Sequence, residues 1–361
     1  MTKKSRQKNP KSSESKFFRL GLKRQYLFPF ALFCVATVIL SFLAVKPDPQ
    51  RLQSESIPEQ SILLALANEP IQPIPLQLEL DPQKVALGQK LFSDVQLSGN
   101  NTISCASCHN LSDNGADRLA RSVGINDAVG VINVPTVFNS GFNFRQHWDG
   151  VVETLEEQVE RPIRSTLAMD SDWPEIVNKL QQSSEYRLLF GQLYEEGIAS
   201  SSIKEAIATF ERSLYTPNSR FDQYLRGDET VLSPQEKEGY RRFKAYGCVS
   251  CHQGVNVGGN LYQRFGLMGD YFKDRGNVTE ADLGRYNVTG EESDRHVFKV
   301  PSLRNIALTN PYFHDGSAQT LDEAVQVMGK YQLGRQLSAE DIDLIVTFLN
   351  TLTGEYQGNP L

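Results

Sequence analysis

Two short runs of the chain have residue types and spacing that could do chemistry: Cys105-Ala106-Ser107-Cys108-His109 and Cys248-Val249-Ser250-Cys251-His252. Two thiols three residues apart, followed at once by an imidazole, form the attachment motif of a covalent c-type haem. The thiols reach the two vinyl groups on one haem edge, and the adjacent histidine comes beneath the ring as the proximal iron ligand. Paired cysteines also build zinc ribbons and redox disulfides. Both pairs here carry the following histidine, and they lie far apart in the chain. The expectation is therefore two covalent haem c groups, held by Cys105, Cys108 and His109 and by Cys248, Cys251 and His252.

The ligand on the opposite face decides what each iron can do. A Met or His there favours electron transfer, whereas an empty position admits a small ligand. Beyond the two proximal ligands, the remaining histidines are His147, His296 and His314. None lies between Asn110 and Gln146, the loop expected to cover the first haem, which excludes a distal histidine from that loop. His147 reads as packed or hydrogen-bonded near a haem edge rather than as a sixth ligand. Trp148 beside it suits either a core position or a bridge between redox centres.

The elements that must position these groups are helices. The stretch from Asp81, DPQKVALGQKLFSD, predicts a helix with Asp81 as N-cap and an apolar face at Val85, Leu87, Leu91 and Phe92. A similar start recurs at Ser233-Pro234, and each of these helices leads into a CxxCH. Residues 134–159 align without a gap to residues 300–325, sharing Pro135/Pro301, Asn139/Asn305, Asp149/Asp315, Gly150/Gly316, Thr154/Thr320 and Leu155/Leu321. The body is thus two related units, 77–230 and 231–361, each running helix, CxxCH, long loop, VP…DG segment, helix. With little strand patterning, the expected fold is all-α, two cytochrome c-like domains. Ser338 should cap the last helix. Met328 follows the DG turn of the second unit, and the alignment sets Pro162 opposite it. Proline cannot bind iron, so the second haem reads as closed by Met328 and the first as open.

Residues 1–26 form a basic segment expected to stay in the cytoplasm, and the rest of the chain is acidic. That distribution fits a topology signal better than a nucleic-acid binder. The uncharged stretch 27–45 is long enough to cross a ~30 Å hydrocarbon core and predicts an N-terminal transmembrane helix. The alternative is a cleaved signal leaving a soluble periplasmic protein, but no clear small-residue cleavage site precedes Lys46. Cys34 falls inside this span. Residues 46–76, rich in Pro, Gln and Ser, read as a linker. The expected location is the periplasmic side of the inner membrane.

The motifs LGQKLFSD, ISCASCHNLSDNGAD, HWDG, GCVSCHQGVNVGG, PSLRNIALTNPYFHDG and VMGKYQLG resemble those of the bacterial dihaem cytochrome c peroxidases, over about residues 84–354. MauG-related oxidases are a weaker match, since they bind the second haem through Tyr where this chain has Met328. The resemblance implies that electrons from a cytochrome c or cupredoxin enter at the second haem. Trp148 helps pass them to the first haem, where hydrogen peroxide is reduced. It also implies a calcium ion held by the Asn133 side chain and the carbonyls of Thr309 and Pro311, a peroxide-positioning role for Gln158, and a possible homodimer.

The chain departs from that pattern in two places. Asn126 stands where many relatives have a loop histidine that closes the oxidised first haem, which predicts an open resting iron. Ala168 stands where the family has its acid–base glutamate, just before Met169. Glu160 and Asp170 are the nearby carboxylates, and both read as solvated helix charges. A dihaem electron-transfer or sensing protein with little peroxide turnover, and a MauG-like oxidase, therefore stand beside the peroxidase as alternatives.

Overall fold

The computed structural model describes residues 69–361. The expected membrane span 27–45 lies outside the described residues, and among those described no helix is long and apolar enough to cross a membrane. In the first half the helices are α1 (Pro82–Phe92), α2 (Cys105–Cys108), α3 (Leu155–Arg164), α4 (Trp173–Gln182), α5 (Ser184–Leu193), α6 (Ser200–Ser213) and α7 (Arg220–Leu225). The second half holds α8 (Pro234–Ala245), α9 (Tyr271–Arg275), α10 (Tyr286–Thr289), α11 (Leu321–Val327) and α12 (Ala339–Asn350).

The caps fall where the sequence puts them. Asp81 accepts from the amides of Gln83 (2.9 Å) and Lys84 (3.3 Å). Ser233 and Glu236 form a reciprocal capping box, and Ser338 accepts from the Asp341 amide at 3.1 Å.

Each half packs its first helix across a later long one, α1 on α6 and α8 on α12. Glycine makes both crossings possible: a Cβ on Gly88 would stand 2.0 Å from the Ala206 carbonyl, and one on Gly239 would stand 2.0 Å from that of Leu344. The buried apolar side chains form two main clusters. Phe92, Ile176, Phe190, Ile203 and Phe210 belong to one, and Phe221, Tyr240, Phe243 and Phe348 to the other. Asn139 and Asn305, equivalent in the repeat, both take the left-handed backbone region, and both amide side chains donate to the Thr216 hydroxyl, at 2.8 and 3.1 Å.

Two features differ from the sequence expectation. The fold is largely helical but not all-α. Tyr262–Arg264 (β1) pairs antiparallel with Val297–Lys299 (β2), and Glu355–Tyr356 (β3) pairs with Asn359–Pro360 (β4). β1 and β2 are two short extended pieces of the long second-unit loop, and their backbone groups find partners in each other. The other feature concerns the end of the stretch read as a linker, where Ile71 and Ile74 are fully buried. This strap is pinned by Arg304, itself fully buried, which pairs with Asp222 at 2.7 Å and donates to the Gln72 carbonyl at 2.9 Å. Asp222 also accepts from the Ile74 amide, at 3.3 Å.

Candidate functional site

The first CxxCH begins on the single turn α2, which Ser104 and Ser107 close with a capping box. The second begins on a 3₁₀ turn, Cys248–Ser250, entered through Gly247 in the left-handed region. The four CxxCH cysteines form no disulfide with one another, and each Cys-Cys-His trio lines its own cavity. His109 is half-buried with Nδ1 3.0 Å from the Gly115 carbonyl, which leaves Nε2 available as a ligand. His252 lies with Nδ1 buried against the carbonyls of Val257 and Pro301, without a well-formed hydrogen bond. Burial lowers both imidazoles, His252 to about 4, so both are neutral and able to bind a metal. The same helical phenylalanine backs each one: Phe92 has its ring 6.3 Å from His109, and Phe243 is 6.4 Å from His252.

Zinc would need the thiols and imidazoles to converge. Among the described residues the one cluster of metal-ligating side chains is Asp282, His314 and Asp315, with no cysteine in it. The guanidinium of Arg275 already pairs with both of its carboxylates, and His314 Nε2 lies 2.7 Å from Asp282. Thiols and a neutral histidine facing an apolar cavity, twice over, fit a covalent haem in each. The second cavity adds the Lys299 ammonium. Nothing among the described residues offsets the burial that pulls it down to about 8, and a haem carboxylate would partner it.

The helices facing these histidines start alike. Thr154 and Thr320 each accept from an N3 amide, that of Glu157 or of Glu323, at 3.2 Å. On the first, Pro162 sits inside α3 and lines the first cavity with Gln158, Ala168 and Met169. On the second, Met328 opens a π turn, Met328–Gln332, and lines the second cavity with His252. Such a turn re-aims side chains and is frequent at functional sites.

Trp148 lines the second cavity and donates from Nε1 to the Asn133 carbonyl at 2.9 Å. The wall there includes Pro135 and Thr136, and Thr136 donates to the carbonyl of Asn114, next to the glycine that orients His109. Asn133, Thr309 and Pro311 also line this cavity. His147 does too; its Nε2 is buried without a hydrogen bond, and burial, aided by Arg161 and Lys299, lowers it to about 4.

Asn126 is exposed and accepts from Asn100 at 3.2 Å, on the loop whose Ser122 and Gly124 reach the first cavity. Glu160 pairs with Arg164 (2.9 Å) and Lys204 (3.4 Å), and Asp170 is exposed, so neither carboxylate lines that cavity. A third carboxyl does line it, that of Glu211 on α6. Sequence reasoning passed over Glu211 and Lys299, because a charge on an amphipathic element reads as solvated by default.

Residues 82–230 match the family model of the di-haem cytochrome c peroxidases. The chain is 46% identical over 319 residues to the cytochrome c peroxidase Ccp of Escherichia coli K12, covering 88% of this chain and 67% of that one. It is 46% identical over 291 residues to the cytochrome c551 peroxidase of Nitrosomonas europaea, covering 80% and 85%. Among solved structures, a MauG-like protein associated with microbial copper homeostasis superposes with a TM-score of 0.69 at 30% identity, covering 80% of this chain and 94% of that one.

Proposed function

The chain belongs to the di-haem cytochrome c peroxidase family, and on that premise we propose that it reduces hydrogen peroxide to water with electrons from a small redox protein, a cytochrome c or a cupredoxin. It is a peroxidase oxidoreductase. The observation that carries the finer reading is the inequality of the two cavities, one lined by Met328 and the other by Pro162.

Cys105, Cys108 and His109 would hold one haem in the domain 77–230, and Cys248, Cys251, His252 and Met328 the other in the domain 231–361. Bound there, the haems would supply the redox chemistry, with electron entry at the second and peroxide reduction at the first. The chain's own residues do the rest. Pro162 puts no iron-binding side chain in the first cavity at the position that Met328 holds in the second. Gln158 lines that cavity and can orient peroxide by hydrogen bonding, but it has no proton to shuttle. Trp148, fixed through Nε1, is the conduit between the two centres. Calcium would take the Asn133 side chain and the carbonyls of Thr309 and Pro311, hard oxygen donors of three residues that line the second cavity. The remaining elements of this reading are an anchor at 27–45, a body on the periplasmic side of the inner membrane, and a homodimer.

The decisive experiment is steady-state peroxide consumption by the full-length holoprotein with reduced cytochrome c. Turnover is expected. No turnover above that of free haem, with both haems attached, would defeat the reading in favour of an electron-transfer or sensing protein.

A further inference from the structure

Glu211 is only 6% exposed, and its Oε2 is buried with no hydrogen-bond partner. It lines the first cavity with Gln158, Pro162 and Ala168. The neighbouring Arg212 does not neutralise it, being paired with Glu156 at 2.8 Å. An unsatisfied buried carboxyl is destabilising, so a partner should arrive with the contents of the cavity.

The internal repeat sharpens the point. The Asn139 amide donates to the Leu214 carbonyl at 2.7 Å, and the equivalent Asn305 amide donates to that of Leu352 at 3.2 Å. These bonds set α6 in register with α12 and place Glu211 opposite Leu349, which lines the second cavity. An apolar position in the cavity with Met328 is thus a carboxyl in the cavity with Pro162. Burial, reinforced by Glu156 and opposed by Arg212, lifts the Glu211 carboxyl to about 8, leaving it largely protonated near neutral pH.

We propose that Glu211 is the proton-donating catalytic residue of the first cavity, supplying the carboxyl that Ala168 lacks. This rests on the peroxidase reading above. As the O–O bond of hydrogen peroxide breaks, its electron pair goes to the departing oxygen. Glu211 gives that oxygen its proton, and it leaves as water. The oxygen left behind sheds its own proton to the Glu211 carboxylate. It then takes two electrons from the donor protein and two protons from solvent and leaves as the second water.

The test uses full-length holoprotein with both haems attached. Glu211→Gln keeps shape and hydrogen bonding but removes the transferable proton, and should slow peroxide consumption by about 10²–10⁴-fold. Infrared difference spectroscopy supplies a readout independent of turnover. The wild type should show a protonated-carboxyl C=O band that moves when cyanide binds at the first site, and the band should be missing from E211Q. Glu211→Leu, which copies Leu349, should lose the same rate while keeping both haem spectra. A rate for E211Q within about threefold of wild type, or a band that stays in E211Q or does not move with cyanide, overturns the proposal. If the wild type turns over no peroxide, the peroxidase reading fails, and the infrared band alone decides whether Glu211 is the proton donor facing a ligand at that site.

Discussion

Pro162 and Met328 hold equivalent places, each eight residues beyond a capping threonine, Thr154 or Thr320, and each lines the cavity of its own CxxCH. One side chain can donate a thioether and the other cannot. Met328→Ala should therefore abolish the absorption of an iron–thioether bond and lower the potential of the second haem. A fall of more than about 59 mV, a tenfold change in a one-electron equilibrium, is expected in a redox titration. Pro162→Met should do the reverse at the first haem, closing it and cutting peroxide turnover. An unchanged spectrum in both variants would mean that neither residue faces iron.

The loop over the first cavity carries no histidine, and Asn126 on it is exposed. The fully oxidised protein should show a high-spin signal from the first haem by electron paramagnetic resonance, and should bind cyanide without prior reduction. A bis-histidine low-spin signal from that haem is the contrary result.

Arg304 and Asp222 form a fully buried ion pair that ties the strap at Ile71–Ile74 to the second cluster. Removing one partner strands the other charge, so Asp222→Ala should cost about 3–5 kcal/mol and lower Tm by about 10 °C. Thermal unfolding of the holoprotein checks this. A loss of under about 1 kcal/mol would mean that the strap is not held by this pair.

Asp282 supplies a pH dependence. Burial alone would raise its carboxyl, but hydrogen bonds from His314, Arg275 and Thr279 outweigh that and hold it well below the usual carboxylate range. A group depressed in the folded state stabilises the fold above its unfolded value and loses that contribution as pH falls. Tm should therefore drop as pH is lowered below about 4. Asp282→Asn should start from a lower Tm at neutral pH and show a shallower acid decline. Parallel curves for the two proteins would remove Asp282 as the cause.

The sequence by itself determined where the attachment motifs stand, because the Cys-x-x-Cys-His spacing is local and carries its own geometry. It also determined the repeat and the inequality of Met328 and Pro162, since both lie at fixed offsets from recognisable helix caps. Tertiary structure alone decided which charged residues turn inward. Glu211, Lys299, Arg304 and Asp222 sit on elements whose patterns read as ordinary amphipathic surfaces, and their burial follows from which element packs over them. The strap at Ile71 and Ile74 escaped notice for the same reason, as did the ladder of β1 and β2. A short apolar or extended segment finds its partner through contacts far away in the chain, and local periodicity does not encode such contacts. Glu160 and Asp170, near Ala168 in sequence, stay outside the first cavity, while Glu211, remote in sequence, lines it.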